Sequence, residues 1–236
     1  MIKSSFQNKV IAITGASGTL GQALSAVLAQ AGAKIIALTT HADAEFLPGT
    51  EVVTWEVGQE HALRTHLQKV DILIINHGVN VYGDRSVAAI QKSYEVNTFS
   101  ALRLGNLFLE LVRADGDRAA TDCSPKELWI NTSEAEVSPA FSPLYELSKR
   151  TLGDLITLQR LDSPCVIRKL ILGPFKSPLN PYGIMSATWV ARAIVTLAQW
   201  NVHNIIVTIN PITYLTFPIK ELSQSLYFRC FSRRSS

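Results

Sequence analysis

"VIAITGASGTLG", Val10 to Gly21, decides how the rest of the chain is read. The apolar run Val10-Ile11-Ala12-Ile13 has the makeup of a buried strand. A turn with Gly15 and Gly18 follows it, and a long amphipathic stretch starts near Leu20. Strand, glycine turn and helix in this order make a corner whose free helix N–H groups, aided by the macrodipole, face a pyrophosphate. Gly15 supplies the residue without Cβ that a tight turn needs, and Gly21 lets the helix pack closely on the sheet. Such turns usually carry three glycines, and Thr19 holds the middle slot here, keeping its N–H and adding bulk beside Gly18. A plain corner that binds nothing has the same local signature, so the turn alone leaves both readings open. Its place in the first strand–helix unit, about 20 residues before the end of the second strand, favours a nucleotide.

Working outward, the same alternation continues. β-rich runs lie at Val10–Thr14, Lys34–Thr39, Val52–Val57, Asp71–Asn76, Leu128–Thr132, Cys165–Gly173 and Ile205–Ile209. Helical patterns lie near Leu20–Gly32, Glu60–Lys69, Ser86–Arg113, Pro143–Leu161 and Ser186–Trp200. Several runs are apolar at successive positions, the mark of strands covered on both faces. The pattern predicts a doubly wound α/β fold: a seven-stranded, mostly parallel sheet with helices on both faces. With no repeat and no low-complexity linker, residues 1–212 read as one domain and 213–236 as its amphipathic tail. Arg113 to Glu127 reads as a flexible surface loop.

Composition narrows the function. The chain has 236 residues, 47% of them hydrophobic, and a formal net charge of +3. Disorder is excluded, and no nucleic-acid surface is advertised. No apolar run reaches the roughly 20 residues of a membrane span, and the N-terminus lacks a signal-peptide core. Cys123, Cys165 and Cys230 are few and scattered, which suggests a reducing compartment, and no His/Cys spacing resembles a metal site. The expected location is the cytoplasm, with peripheral membrane contact as the variant raised by the tail.

The second run ends in Thr39, Thr40 and His41. An NAD-selective site wants an Asp or Glu there for the ribose hydroxyls. Without a carboxylate a 2′-phosphate is not repelled, and hydroxyls can bind it, though no Arg is present to clamp it. NADP(H) is therefore the favoured cofactor and NAD(H) the alternative.

A chemical constellation lies downstream. Tyr145 and Lys149, four positions apart at the start of a predicted helix, project from one face. A free tyrosine has a pKa of about 10, and a nearby ammonium lowers it. An ordinary exposed pair has the same spacing, but this pair has company. Ser133 lies just beyond a strand end, where doubly wound folds place their chemistry. Asn97 falls inside a long helical pattern, and Asn76-His77-Gly78 ends the fourth run.

Taken together, these residues make the chain resemble the short-chain dehydrogenase/reductase family, from Lys9 to about Pro211. TGASGTLG is similar to its TGxxxGxG turn, departing at Thr19, and Asn76-His77-Gly78 to its Asn-Ala-Gly signature, departing at His77. Asn97, Ser133, Tyr145 and Lys149 fall in the order of its catalytic tetrad, with Thr132 competing for the serine role. Leu172-Gly173, with Ser177 after it, resembles its Pro-Gly segment, the proline having moved to Pro174. The resemblance implies a Rossmann-type cofactor site made of Gly15, Ser17, Gly18, Thr19, Leu20 and Gly21 at the turn and Thr39 and Thr40 at the ribose. Glu56 and Val57 would meet the adenine, and Asn76, His77, Gly78, Tyr145, Lys149, Gly173 and Ser177 would complete the site. It implies that Tyr145 transfers the proton, Lys149 depresses its pKa and holds the ribose, Ser133 binds the substrate oxygen and Asn97 fixes a water. Carbonyl and alcohol would be interconverted by a homodimer or homotetramer. The rival is a catalytically silent dinucleotide-binding regulatory or scaffold protein, for which Thr19, His77 and the shifted proline speak.

The segment from Pro174 to Ala187 is short and proline-broken, predicting an open site that admits a lipid-like molecule. In the tail, Pro218 suits a first helical turn. Ile219, Leu222, Leu226, Tyr227, Cys230 and Phe231 would share one face, with Arg229, Arg233 and Arg234 near the end. That face either docks on protein or lies in a membrane interface, and docking is the expected role. The tail also loosely resembles that of short-chain dehydrogenases found beside sterol-desaturase-like enzymes, which implies a lipid or isoprenoid substrate.

Overall fold

The computed structural model describes residues 6–41, 43–116 and 125–233. Cys123, Arg234 and much of the expected Arg113–Glu127 loop lie outside them. Each apolar run forms a strand: β1 (Val10–Thr14), β2 (Lys34–Thr39), β3 (Glu51–Thr54), β4 (Ile72–Ile75), β5 (Glu127–Asn131), β6 (Val166–Leu172) and β7 (Asn204–Val207). They form one sheet in the order β3-β2-β1-β4-β5-β6-β7. Every pairing among them is parallel, so the sheet is wholly and not just mostly so. The strand order reverses between β1 and β4, and ligands bind doubly wound sheets in the crevice beyond that point.

Helices cover both faces, as continuous apolar strands require. On one face α1 (Thr19–Gln30) and α6 (Ala187–Gln199) bury Leu20, Leu24, Leu28, Val190 and Ile194 against Ile11, Ile13 and Ile74. On the other, α2 (Arg64–Gln68), α4 (Ala101–Gly116) and α5 (Pro143–Gln159) bury Leu67, Leu104, Phe108, Leu152 and Ile156 against Ile36, Leu73 and Ile75.

Three helices depart from expectation, the first because the predicted Glu60–Lys69 helix opens as a 3-10 turn (Glu60–Leu63) before α2. The predicted Ser86–Arg113 helix is α3 (Val87–Tyr94), then a π-helical turn over Glu95–Ser100, then α4. Ser86 caps α3 by accepting the Ala89 N–H. Such turns insert a residue into the helical ladder and cluster at functional sites, and this one carries Asn97. The final helix, α7 (Thr213–Phe231), starts before Pro218, which sits inside it and not in its first turn. A proline there forfeits one backbone hydrogen bond, but the fully buried Thr213 and Phe217 hold the early start. The docked side of α7 carries Thr213, Phe217 and Glu221, whereas Leu215, Ile219, Leu222, Leu226, Tyr227 and Phe231 face outward. The tail therefore docks on its own domain, but not through the face the sequence pattern selected. No helix among the described residues is long and apolar enough to cross a membrane.

Candidate active site

The glycine turn is built as a cradle. Gly15 has φ +62°, and a Cβ there would lie 2.9 Å from the His77 Cα, so β1 and the end of β4 approach as only glycine permits. Gly18 is the N-cap of α1, has no side-chain cap bond, and no carboxylate follows in the first turn. The first backbone bond of the helix is from the Gln22 N–H to Gly18 O at 2.9 Å. The preceding N–H groups, of Thr19, Leu20 and Gly21, have no intrahelical partner. An uncapped N-terminus free of negative charge fits a phosphate.

Thr39 at the end of β2 is buried, and its hydroxyl donates to Ser17 Oγ at 3.2 Å and accepts the His41 N–H at 3.0 Å. It ties β2 to the glycine turn, and its hydroxyl is already engaged. Thr40 is exposed, with its Oγ1 hydrogen-bonded to His41 Nδ1 at 3.2 Å, and is the hydroxyl of the pair that faces solvent. Glu56 is exposed and Val57 half-buried just beyond β3.

At the end of β4, Thr14 Oγ1 accepts the backbone N–H groups of Asn76 at 2.9 Å and His77 at 3.3 Å, and lies 2.8 Å from His77 Nδ1. Both oxygen lone pairs are thus used, so the hydroxyl proton goes to Nδ1 and the imidazole keeps its own on Nε2. The ring packs edge-on to Trp55, with centroids 5.3 Å apart. Burial, and then the Lys149 charge, push its pKa down to about 3, so His77 is a neutral spacer and not an acid or base at neutral pH. Asn76 Oδ1 accepts from Asn131 Nδ2 at 3.1 Å, linking β4 to β5.

The four tetrad candidates are brought together beyond β4 and β5. Ser133 follows β5 with φ +74°. A non-glycine residue costs about 1–3 kcal/mol in such a conformation, which persists only where the surroundings hold it. Its Oγ accepts the Ala135 N–H at 3.2 Å. A hydrogen bond with Ser133 lowers the Tyr145 pKa, but burial acts more strongly and the net shift is upward. This corrects the expected depression by Lys149, whose Nζ stands 5.9 Å from the Tyr145 ring centroid. Lys149 itself is buried and donates to Asn131 O at 2.8 Å. Burial brings its pKa down to about 8, opposed by the charge of Glu136. Asn97 is fully committed: Oδ1 accepts the Val79 N–H at 2.7 Å, and Nδ2 donates to Val79 O at 2.9 Å and Ser148 Oγ at 3.0 Å. Its side chain clamps the irregular segment that follows Gly78, so any water would have to meet its backbone. Thr132, the competitor of Ser133, is fully buried with an unpartnered hydroxyl.

Gly173 follows β6 and is buried against Thr208 and Glu134. Ser177 Oγ accepts the Asn180 N–H at 3.2 Å, closing a small turn in the segment over the site. That segment is tied to the loop after β4 by Tyr82 OH donating to Pro178 O at 3.2 Å and Asn80 Nδ2 to Leu179 O at 3.4 Å. No three His, Cys, Asp or Glu side chains among the described residues form a group able to hold a metal.

Sequence reasoning missed Glu134, Glu136 and Lys169, all buried beneath Ser133. The signal was present: "CVIRKLILG" puts Arg168 and Lys169 inside a strand that must be covered on both faces.

No family model matches the chain. A monoglucosyldiacylglycerol epimerase from Synechocystis sp. is 58% identical over 98% of the chain. The chain spans only 57% of that relative's length. Among solved structures, a short-chain dehydrogenase from Burkholderia cenocepacia in complex with NADP superposes with a TM-score of 0.76 at 16% identity, covering 98% of this chain and 100% of that one. A short-chain dehydrogenase from Sphingobium yanoikuyae in complex with NADPH gives 0.73 at 15% identity, covering 97% and 98%. With a seven-stranded parallel sheet of the same architecture and these superpositions, the chain has the short-chain dehydrogenase/reductase fold over nearly its whole length.

Proposed function

We propose that the chain is an NADP(H)-dependent short-chain dehydrogenase/reductase that inverts a carbinol centre in the sugar of a glycosyl diacylglycerol. The observation that carries the chemistry is the convergence of Ser133, whose hydroxyl lowers the Tyr145 pKa against burial, with Tyr145 and with Lys149, whose Nζ is 5.9 Å from the Tyr145 ring centroid. The substrate class rests on the relative's name, and the short segment over the site is consistent with a bulky lipid. Gly15, Ser17, Gly18, Thr19, Leu20 and Gly21 would hold the pyrophosphate at the start of α1, with Thr39 shaping the turn and Thr40 beside the ribose phosphate. Glu56 and Val57 would border the adenine, and Asn76, His77, Gly78, Gly173 and Ser177 the nicotinamide end. The bound cofactor would supply a hydride acceptor that later returns the same hydride.

The chain's own residues move the proton. Tyr145 takes it from the sugar hydroxyl as the carbinol C–H bond breaks and a ketone forms, and Ser133 hydrogen-bonds the substrate oxygen. With the sugar turned so that its opposite face would take the hydride back, Tyr145 gives the proton back to the substrate oxygen. No net oxidation occurs; the phenol gives up its own proton before the first stroke, and the proton it then takes from the sugar is the one it returns. Burial keeps the phenol protonated in the ligand-free chain, the form that protonates a ketone oxygen. In the opposite stroke the Ser133 hydroxyl, which lowers the phenol pKa against burial, stabilises the phenolate.

The test is incubation with monoglucosyldiacylglycerol and substoichiometric NADP+, followed by separation of the sugar epimers. Inversion should continue past one turnover per cofactor. Intact NADPH binding without inversion overturns the substrate assignment, and absence of NADPH binding overturns the whole reading.

A further inference from the structure

A cluster of charge is buried behind the tetrad, where β6, α5 and α7 meet the turn that follows Ser133. That turn is a single 3-10 turn, Glu134–Glu136, with Ser133 as its N-cap. The Glu136 N–H donates to Ser133 O at 3.3 Å. Its carboxylate is fully enclosed and accepts from Lys169 Nζ of β6 at 3.2 Å and Lys220 Nζ of α7 at 2.6 Å. Lys169 also donates to Glu221 Oε2 of α7 at 2.7 Å and to Thr157 Oγ1 of α5 at 2.9 Å. Lys220 pairs with Asp154 of α5 at 2.7 Å, and Arg160 with Glu221 at 2.9 Å. Glu134 holds the other side of the turn, accepting from Thr208 at 2.8 Å and from Thr213 at the start of α7. In α5, Gly153 lies directly under Glu136, and a Cβ there would collide with its carboxylate.

We propose that Glu136 is a positioning residue for the tetrad: clamped by Lys169 and Lys220, it fixes the turn that presents Ser133 and places a negative charge behind Lys149. Burying so many charges is unfavourable unless all are paired, so the arrangement ties the left-handed Ser133 to three separate elements. The charge reaches the site through space. Glu136 is the group whose field opposes the burial-driven fall in the Lys149 pKa. Glu136 is paired with Lys169 from β6 and Lys220 from α7, which are shared with Glu221 and Asp154 respectively. Lys149 stands one helical turn before Gly153, the α5 residue that packs on Glu136, and Lys149 itself is flanked by Tyr145 and His77. The proposal rests on the functional reading above, but its test does not need turnover.

The measurement is NADPH affinity as a function of pH, by fluorescence titration of the whole chain. In the unmodified protein the affinity should fall above about pH 8, as Lys149 loses its proton. Glu136→Gln should move that midpoint down by roughly one pH unit, as expected for losing one charge at short range. Lys220→Met should move it up, because Glu136 is then left less neutralised. A structural defect moves both variants the same way. Turnover of Glu136→Gln should fall about 10-fold with NADPH affinity at pH 6.5 little changed, and Glu136→Asp should restore the midpoint. Unchanged or like-signed midpoints overturn the proposal whatever the substrate proves to be. If Glu136→Gln does not fold, the Lys220→Met midpoint alone decides, an upward shift supporting the proposal and no shift refuting it.

Discussion

The two ends of the sheet are made of different material. From β3 to β4 the strand interiors are apolar, with Ile11, Ile13, Ile36, Leu38, Leu73 and Ile75 packed against aliphatic helix faces. From β5 to β7 the interior is threaded with ions. Arg168 and Lys169 are neighbours in β6 and point to opposite faces. Arg168 donates to both oxygens of Glu127, at 2.8 and 3.1 Å, and Lys169 enters the Glu136–Glu221 cluster. The apolar end carries the glycine cradle, and the charged end underlies Ser133, Tyr145 and Lys149. Apolar packing is non-directional and tolerates small changes in shape, so it suits a cofactor platform. Paired buried charges demand one geometry, which suits a site where proton donor and acceptor must hold their distance.

The largest expected effect separates the two ends by function. Tyr145→Phe should reduce turnover about 10²–10⁴-fold, the usual contribution of a general acid–base group, while NADPH affinity stays as it was. Parallel losses in both would mean that the ends are not separable. Next comes stability. Lys169→Met leaves Glu136 and Glu221 without their shared cation and should cost about 3–5 kcal/mol, as breaking a buried pair does. Ile36→Val at the apolar end should cost about 0.5–1.5 kcal/mol. Urea unfolding of both variants compares them directly, and equal costs would erase the contrast.

A smaller effect is pH-dependent. His77 in the folded chain has its pKa lowered to about 3, whereas an unfolded imidazole titrates near 6.5. Its contribution to stability is therefore complete above pH 6.5 and is lost as the pH falls from there towards 3. On going from pH 6.5 to 5 the loss is about 2 kcal/mol, and His77→Gln should flatten that part of the curve. An unchanged slope in the variant would show that His77 is not held neutral. The smallest effect tests the ribose end. Thr40→Asp should weaken NADPH relative to NADH by about tenfold through repulsion of the 2′-phosphate, and titration with both cofactors measures it.

The contrast also explains what the sequence made legible. Runs such as Ile72–Ile75 announce buried parallel strands, because continuous apolarity has no other use in a short segment. The glycine turn and the Tyr145–Lys149 spacing are local patterns, visible within a few residues. The pairings of the charged end are not local: Lys169 and Glu221 are separated by 52 positions and Glu136 and Lys220 by 84. No periodicity encodes such a partnership, though two basic residues inside β6 demanded one. The π-helical turn at Asn97 was hidden for a related reason. It follows from Asn97 bonding both backbone groups of Val79, a tertiary contact that overrides helical regularity. On α7 the pattern gave an amphipathic helix but the wrong inner face, because Thr213 and Glu221 dock through polar bonds that a hydrophobicity pattern counts as surface.

On the proposed function, Tyr145 and a returned hydride would invert a sugar carbinol in place. Running the reaction on monoglucosyldiacylglycerol in D2O with NADP+ tests it most directly, by mass spectrometry and proton NMR of the product sugar. Hydride that leaves and returns never meets solvent, so the inverted carbon should keep its original hydrogen and the product should carry no non-exchangeable deuterium. Deuterium at that carbon would mean that inversion proceeds by proton abstraction from carbon, and would contradict the assignment of the site.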